Sequence, residues 1–256
     1  MIGINNFTQR LGNQMWQIAV ADSLATNNND IVSYPNWSYA KFFEHDFSPK
    51  PNAKISKIWN EPHFHYKEIP YSPNLAIKGY FQSYKYLNEE RVKKLFKFKE
   101  TLVNDLKIKH KDLLEKPNCS IHVRRGDYLK YPDHHPVVDL NYIMKAVKEF
   151  PKETIFLVFS DDTKWCLENF PVINKKFFII ENQTDVEDLI CQTLCDNNII
   201  ANSSYSWWGA YLNNNPNNKV IQPIRWFGEA YANYNTNDIS PPNWKKMSTT
   251  HPRHRR

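Results

Sequence analysis

A short run near the middle of the chain constrains the fold more than any other. Residues 119–128 read Cys-Ser-Ile-His-Val-Arg-Arg-Gly-Asp-Tyr, so apolar and β-branched positions surround His122 and then give way to two arginines and a glycine. This pattern predicts a buried strand that ends in a turn. Guanidinium groups at a strand end require an anion, and their planar forks suit a diphosphate. Because ligands of open α/β sheets bind outside the carboxyl ends of strands, we expect Arg124 and Arg125 at a nucleotide phosphate.

Two other interpretations of this run need no nucleotide. Arg-Gly-Asp is an adhesion tripeptide in other proteins, and the arginines would also suit structural salt bridges to Asp127 or another acid. Adhesion is disfavoured because the tripeptide directly follows a predicted strand and no secretory signal pattern precedes it. The salt-bridge alternative stays open at this point, and the rest of the chain bears on it.

Composition places the chain among globular proteins. Of its 256 residues, 41% are hydrophobic and 14% aromatic, which suits one large domain or two lobes and is too rich for disorder. No apolar run approaches the roughly 20 residues that span a bilayer. The four cysteines lack a Cys-x-x-Cys spacing and fall in apolar segments. This usage indicates reduced core residues of a cytosolic protein.

The positive charge of the chain favours an anionic small ligand over a nucleic acid. The net charge of +6 is spread along the sequence, apart from a cluster of basic residues at 251–256. A moderate excess of this kind fits an anionic substrate. We expect residues 248–256 to form a solvated, disordered tail, and we predict no nucleic-acid partner.

The first half of the chain carries weaker patterns. Residues 9–25 place apolar side chains at helical spacing, and Gly12 and Asn13 open the predicted helix. Free backbone N–H groups and the helix dipole favour an anion there, although a Gly-Asn start is also an ordinary helix cap. Residues 87–106 predict a second amphipathic helix. Residues 35–74 have no clear period and predict loops and short elements.

The second half alternates strands and helices. Apolar runs predict strands at 154–159, 177–180, 198–201 and 219–222, with helical patterns between them. Thr184-Asp-Val-Glu187 is a capping box that begins one of these helices. Such alternation predicts a parallel, doubly wound sheet.

Polar side chains follow three of the predicted strands, at the point where each strand ends. Because the carboxyl ends of parallel strands lie on one edge of a sheet, we expect these side chains to lie close together. Arginines there would neutralise a diphosphate, serines and helix N–H groups would hydrogen-bond it, and an acid would accept from a guanine. The candidates are Arg124, Arg125, Asp161, Asp162, Ser203, Ser204 and Ser206.

Several blocks of the sequence resemble bacterial-type α-1,2-fucosyltransferases, glycosyltransferase family 11. The block His122-Val-Arg-Arg-Gly-Asp-Tyr128 matches the family motif His-x-Arg-Arg-Gly-Asp-Tyr without a gap. One departure is Gln9-Arg10, where the family usually has a double glycine. The other similar blocks are Gln-Arg-Leu-Gly-Asn-Gln-Met-Trp-Gln at 9–17, Gly-Tyr-Phe-Gln-Ser-Tyr-Lys-Tyr at 79–86, Phe-Ser-Asp-Asp at 159–162, the run at 198–210 and the ending at 238–244.

The resemblance implies a GT-B-like α/β fold, with two Rossmann-like lobes whose parallel sheets face each other across a cleft. We expect residues 1–115 to form an acceptor-side lobe with partial donor contact and residues 116–247 to form the GDP-sugar-binding lobe. The resemblance also implies GDP-L-fucose as donor and the 2-hydroxyl of a galactose-type sugar as acceptor. Transfer would invert the anomeric centre and require no metal ion, and the sequence contains no Asp-x-Asp motif.

The same resemblance assigns donor contacts. Arg124 is the expected main partner of the diphosphate, while Arg125 would contact the phosphate or hold the loop. His122 and Asp161 are the expected guanine-side contacts, with Asp162 beside them. Phosphate or ribose contacts are expected from Ser203, Ser204 and Ser206, and Asn13 would reach the donor from the other lobe.

The proton acceptor is less well defined. Inversion needs a group that takes the proton of the acceptor hydroxyl. Asp127 is the first candidate because it lies close to the expected diphosphate site in sequence. His135 and an acid of the first lobe are the alternatives.

Other functions remain open on the sequence. One is a GT-B transferase with another GDP-sugar or linkage, and a second is a non-catalytic protein that binds GDP or a glycan. The third is a basic surface-interaction protein acting through residues 251–256. The intact Arg-Arg-Gly-Asp run argues against the second. The many Asn, Lys and Ile residues point to an AT-rich bacterial or viral genome, and we expect a cytoplasmic protein, in the host cytoplasm if viral.

Overall fold

The structure, a computed structural model, describes residues 1–50 and 54–249. The predicted tail at 248–256 therefore lies almost entirely outside the described residues. The chain divides into two compact units. The first contains Met1–Leu102 and the returning segment Tyr234–Pro241, and the second contains Val103–Asn233 and the described residues that follow Pro241.

The first unit is a small α/β layer built on a parallel sheet. Its strands pair in the order β2-β1-β4-β3, and helix α1 contributes Met15, Trp16 and Ile18 to the buried core. Strand β3 was not predicted, because it is an edge strand with exposed residues and no apolar alternation. In chain order the elements are β1 (Ile2–Ile4), α1 (Leu11–Asn27), β2 (Val32–Ser33), β3 (Lys57–Asn60), β4 (Leu75–Lys78) and α2 (Glu89–Leu95).

The predicted single helix at 87–106 is wrong. Helix α2 ends at Leu95, and helix α3 (Glu100–Lys109) begins four residues after Phe96. Phe96 and Phe98 lie between the two helices and are buried in an aromatic cluster, where Phe98 stacks on Phe43 at 4.8 Å and forms an antiparallel bridge with it. Burial of these rings outweighs the continuation of the helix.

The second unit is the doubly wound sheet that the sequence predicts. Its six strands are all parallel, in the order β10-β9-β8-β5-β6-β7. Every residue of β5 is buried, and β5 lies between β8 and β6. The elements are α4 (Lys111–Leu114), β5 (Asn118–Val123), α5 (Leu140–Val147), β6 (Ile155–Ser160), α6 (Thr163–Asn169), β7 (Lys176–Ile179), α7 (Asp185–Leu194), β8 (Asn197–Ile199), α8 (Ser204–Tyr211), β9 (Val220–Pro223) and β10 (Lys245–Met247).

The compact units divide earlier than the expected boundary at residue 115. Most of α3 and all of α4 belong to the second unit. His110, between these helices, lies 2.9 Å from Gln183, and the Asn118 amide donates to the Leu114 carbonyl at 3.2 Å. These polar contacts tie the charged segment to the second sheet.

Helix α7 contains an aspartate whose charged form is disfavoured by burial. Asp188 is partly buried, and its Oδ1 has no hydrogen-bond partner among the described residues. Burial, with Glu187 and Asp185 nearby, raises the pKa of Asp188 to about 7. The folded chain therefore binds this proton more tightly than the unfolded chain, whose carboxyl has a pKa of 3.8. The free energy of unfolding falls as the pH rises between these two values.

We expect Asp188→Asn to stabilise the protein above pH 7 by roughly 1–2 kcal/mol, because the amide carries no charge to desolvate. The gain should shrink toward pH 4. Urea unfolding at pH 5 and pH 8 measures both values, with the exposed Glu153→Gln as control. A gain that is independent of pH would contradict this account.

Candidate functional site

The loop that follows β5 places Arg124 among carboxylates. Arg124 Nη1 lies 2.7 Å from Asp161 Oδ2, and Nη2 forms an ion pair with Asp127. Asp161 directly follows β6, so the first pair joins the carboxyl ends of two neighbouring strands. The Arg124 side chain is 15% exposed. Its guanidinium is thus held in place and still reachable by a ligand.

Arg125 is held by different partners. Its Nε lies 2.9 Å from Asp162 Oδ2, and its guanidinium carbon lies 4.1 Å from the centre of the Trp165 ring. Asp162 also accepts a hydrogen bond from Trp165 N at 3.1 Å, which caps α6. The hydrogen bond from Arg125 lowers the pKa of Asp162. Arg125 therefore fixes the loop to the start of α6.

Gly126 allows this loop to approach β6 closely. A Cβ at this position would lie 2.5 Å from Asp161 Oδ2. The Arg125 N–H also donates to Asp161 Oδ1 at 2.8 Å, so Asp161 binds both the backbone and a guanidinium of the loop. A side chain at 126 would disrupt this arrangement.

His122 is a neutral group within the sheet. It is 7% exposed on β5, and its Nδ1 has no hydrogen-bond partner among the described residues. Burial, aided by the charge of Arg124, lowers the pKa of His122 to about 3. The imidazole is uncharged near neutral pH and offers one unsatisfied polar atom close to the loop.

The predicted serines lie between β8 and α8. Ser203 caps α8 by accepting from Tyr205 N at 3.3 Å, and Ser204 is the first residue of the helix. Ser206 is fully buried and donates to the Ser203 carbonyl at 3.4 Å. Ser203 and Ser204 thus lie at the start of α8, whereas the Ser206 hydroxyl already has a backbone hydrogen-bond partner in the first turn.

Tyr128 links the loop after β5 to the loop between β8 and α8, a role that no sequence pattern assigned to it. Its hydroxyl donates to the Asn202 carbonyl at 3.0 Å, and burial raises its pKa to about 12. Its ring lies 5.4 Å from the Arg124 guanidinium carbon and stacks on His135 at 4.7 Å. Its position at the end of the matched motif is the signal in the sequence that could have identified it.

Asn13 lies in the first unit. It is in the first turn of α1, and its Oδ1 accepts a hydrogen bond from Gln82 Nε2 at 2.9 Å. The second unit by itself brings together most of the other predicted residues at one sheet edge. Within residues 1–50 and 54–249, no three His, Cys, Asp or Glu side chains are placed to hold a metal ion, and no helix is long and apolar enough to cross a membrane.

Two units with parallel sheets, and arginines paired with carboxylates at the strand ends of the second, are features of a glycosyltransferase of the GT-B class. The chain belongs to glycosyl transferase family 11, whose family model matches residues 6–248. Both the predicted fold class and the predicted family are confirmed.

Curated relatives agree with this assignment. The chain is 33% identical over 210 residues to the O-antigen biosynthesis glycosyltransferase WbnK of Escherichia coli, an alignment that covers 76% of this chain and 66% of WbnK. It is 27% identical to the alpha-1,2-colitosyltransferase of Escherichia coli, with 96% and 86% covered. It is 30% identical to a galactoside 2-alpha-L-fucosyltransferase of Caenorhabditis elegans, with 68% and 53% covered. The chain thus spans from about half to most of these relatives.

Solved structures share the fold at low identity. Fucosyltransferase NodZ from Bradyrhizobium aligns with a TM-score of 0.53 and 12% identity, over 81% of this chain and 92% of NodZ. POFUT1 in complex with GDP-fucose aligns with a TM-score of 0.51 and 12% identity, over 82% of this chain and 93% of POFUT1. Because the identity is this low, the similarity shows the fold alone.

We expect Gly126→Ala to destabilise the protein by about 1–3 kcal/mol, because the new methyl group overlaps the Asp161 carboxylate. Urea unfolding of the variant measures the loss. The exposed Lys130→Ala, four residues along the same loop, is the matched control. Equal stability of the two variants would show that the loop adjusts without cost.

Proposed function

We propose that the protein transfers L-fucose from GDP-β-L-fucose to the 2-hydroxyl of a galactose-type acceptor, with inversion and without a metal ion. The observation that carries this proposal is the Arg124 guanidinium, 15% exposed, at the joined strand ends of β5 and β6 in a chain of glycosyl transferase family 11. Relatives named for α-1,2 transfer support the linkage.

The second unit supplies the donor contacts in this proposal. Arg124 binds the diphosphate, while Ser203, Ser204 and the first N–H groups of α8 contribute hydrogen bonds. His122 Nδ1, buried without a partner among the described residues, and Asp161 contact the guanosine. Support comes from their placement at one sheet edge.

Three further predicted residues complete the donor site. Asp162 and Ser206 have internal partners in the ligand-free protein. We propose that both belong to the donor site, where they support the residues that contact the donor. Asn13, in the first unit, stays a predicted donor contact.

The reaction is a single displacement. The acceptor 2-oxygen attacks the anomeric carbon of fucose while the bond from that carbon to the diphosphate oxygen breaks. Negative charge grows on the leaving oxygen, and a fixed guanidinium stabilises it strongly in a site that excludes water. Asp161 and Asp127 hold Arg124 at this position in the ligand-free protein.

Asp127 accepts the acceptor proton in this proposal. In the ligand-free protein its carboxylate forms an ion pair with Arg124, and its side chain is 48% exposed. A diphosphate that takes over the guanidinium would release this carboxylate beside the reacting centre. One residue would then serve as a partner of Arg124 before binding and as a base after it.

Cytoplasmic location and lobe roles complete the proposal. All four cysteines are buried and free, which suits a reducing compartment, and bacterial relatives are among the matches. The first unit, expected as residues 1–115, would bind the acceptor, and the second, expected as 116–247, would bind the GDP-sugar.

Another GDP-sugar is the second candidate donor. The colitosyltransferase of Escherichia coli matches 96% of this chain and is named for the same α-1,2 linkage with a different sugar. GDP-colitose therefore belongs in the test.

The decisive experiment measures product formation from GDP-L-fucose with a panel of β-galactosides in the presence of EDTA. GDP-colitose and GDP-mannose are the alternative donors. An α-1,2-fucosylated product would support donor, linkage and metal independence together. Transfer from GDP-colitose alone would favour the second candidate, and GDP binding without any product would favour a non-catalytic relative.

We expect Arg124→Ala to lower kcat by roughly 10²–10³, because one fixed donor to the leaving oxygen is lost. Steady-state kinetics with GDP release measure this effect. Arg225→Ala is the matched control, since Arg225 pairs with Glu229 in the same unit and has no predicted role. Activity of Arg124→Ala equal to that of the control would remove Arg124 from the mechanism.

Asp127→Asn should lower kcat by about 10²–10⁴ if the carboxylate is the base, because the amide cannot take the proton. Affinity for GDP, measured by titration calorimetry, should not fall, because the diphosphate no longer has to displace a charged Asp127 from Arg124. The exposed Asp112→Asn controls for loss of an acid in the same unit. Unchanged turnover would transfer the role to His135 or to an acid of the first unit.

A further inference from the structure

The turn at residues 79–82 holds a set of contacts for which the proposed function has no use. It follows β4 in the first unit and belongs to a block that resembles the family. Glu61 directly follows the neighbouring strand β3. Its carboxylate accepts from Tyr80 N at 2.7 Å and from Phe81 N at 3.0 Å. A carboxylate thus binds two successive backbone N–H groups of the turn.

The turn is strained and closely packed against Glu61. Phe81 is fully buried and has φ 56°, a left-handed conformation that is unfavourable for an aromatic residue. Gly79 has no room for a side chain, because a Cβ there would lie 2.6 Å from Glu61 Oε2. Such a conformation persists only when its surroundings enforce it, and Glu61 provides that constraint from one side.

Helix α1 provides the constraint from the other side. Gln17, fully buried, donates from Nε2 to the Gly79 carbonyl at 2.9 Å, and its Oε1 accepts from Thr8 N at 3.1 Å. The turn is therefore attached to the end of β3 and to α1 at once. Its last residue, Gln82, has little freedom to move.

Gln82 in turn orients the side chain of Asn13. Gln82 is 7% exposed, and its Nε2 donates to Asn13 Oδ1 at 2.9 Å. This bond fixes which end of the Asn13 amide is the oxygen, and we assign the NH₂ group at the other end to substrate binding. A group that donates selects an acceptor atom, which in this chemistry is an oxygen of a phosphate or a sugar.

We propose that Glu61 and Gln82 are positioning residues that fix the Asn13 amide with its NH₂ group toward an oxygen of the GDP-sugar. This inference rests on the proposed function, in which Asn13 is a donor contact. It assigns a purpose to the strained Phe81: the turn places Gln82 where it can orient Asn13.

A double-mutant cycle tests the proposal in the full-length protein. Asn13→Ala should raise the KM for the GDP-sugar about tenfold, as expected for one lost hydrogen bond. Gln82→Met, of similar size, should raise the same KM several-fold. Because both changes remove one interaction, the double variant should be no worse than Asn13→Ala alone.

Glu61→Gln probes the start of the chain of contacts. The amide keeps one oxygen, but its NH₂ group replaces a carboxylate oxygen that now accepts from the backbone of the turn, so the two N–H groups of residues 80 and 81 must share a single, uncharged acceptor. We expect the KM for the GDP-sugar to rise several-fold and amide hydrogen exchange in the 79–82 turn to accelerate.

Asn88→Ala separates positioning from general stability. Asn88 caps α2 in the same unit by accepting from Arg91 N at 3.1 Å and takes no part in the contacts with Asn13. This control should lower Tm without changing the KM. Gln82→Met behaving like Asn88→Ala, additive effects in the cycle, or a rise confined to the acceptor KM would each overturn the proposal.

Failure of the proposed function would be visible separately. The wild-type protein would then transfer no fucose, whichever variant is studied. The cycle is measured on the GDP-sugar that the wild type transfers, or on GDP-sugar affinity by calorimetry if none is transferred. The energetic coupling between Asn13 and Gln82 can thus be measured whichever sugar the donor carries.

Discussion

The ion pair between Arg124 and Asp161 is the interaction on which the site depends. It joins the ends of β5 and β6, with a guanidinium-to-carboxylate distance of 2.7 Å. Removing a guanidinium from water without an anion is costly, so a ligand-free protein with this sequence needs carboxylates at the strand ends. Asp127, Asp161 and Asp162 meet that need and outnumber the two arginines. In the proposed reaction, the diphosphate therefore replaces carboxylates as the partner of Arg124.

The buried sheet keeps these charges in register. Every residue of β5 is buried, and β5 pairs with β6 from Asn118↔Ile155 to Val123↔Ser160. The two faces of β5 differ, because Cys119, Ile121 and Val123 belong to the hydrophobic core whereas the alternate residues are polar. The strand therefore has little freedom to slide, since a shift by one residue would reverse every side chain. The same burial keeps His122 uncharged, so it interacts with a ligand as a neutral hydrogen-bonding group.

Much of this was predictable because it follows local periodicity. Strand β6 is an apolar run, β5 carries apolar residues at alternate positions and β8 leads into the apolar residues that precede Asn202, so these strands and the polar residues after them were predicted. Strand β10 has exposed lysines, and its pairing with β9 is a tertiary choice that its own sequence does not specify. The Gln82–Asn13 contact spans 69 residues, and no local pattern indicates it. The sequence therefore predicted which side chains meet at the strand ends of the second unit better than it predicted the contacts within the first.

The two adjacent arginines show how the backbone divides roles that the sequence presents as equal. Along an extended chain, successive side chains point to opposite sides. Arg124 accordingly contacts Asp161, Asp127 and the Tyr128 ring, while Arg125 contacts Asp162 and the Trp165 ring. The partners of Arg125 are the cap of α6 and a ring of the same helix, so its charge attaches the loop to α6. That attachment keeps Arg124 in position, because both residues belong to the same turn. A single arginine would have to serve both purposes, and a ligand that competed for it would also loosen the loop.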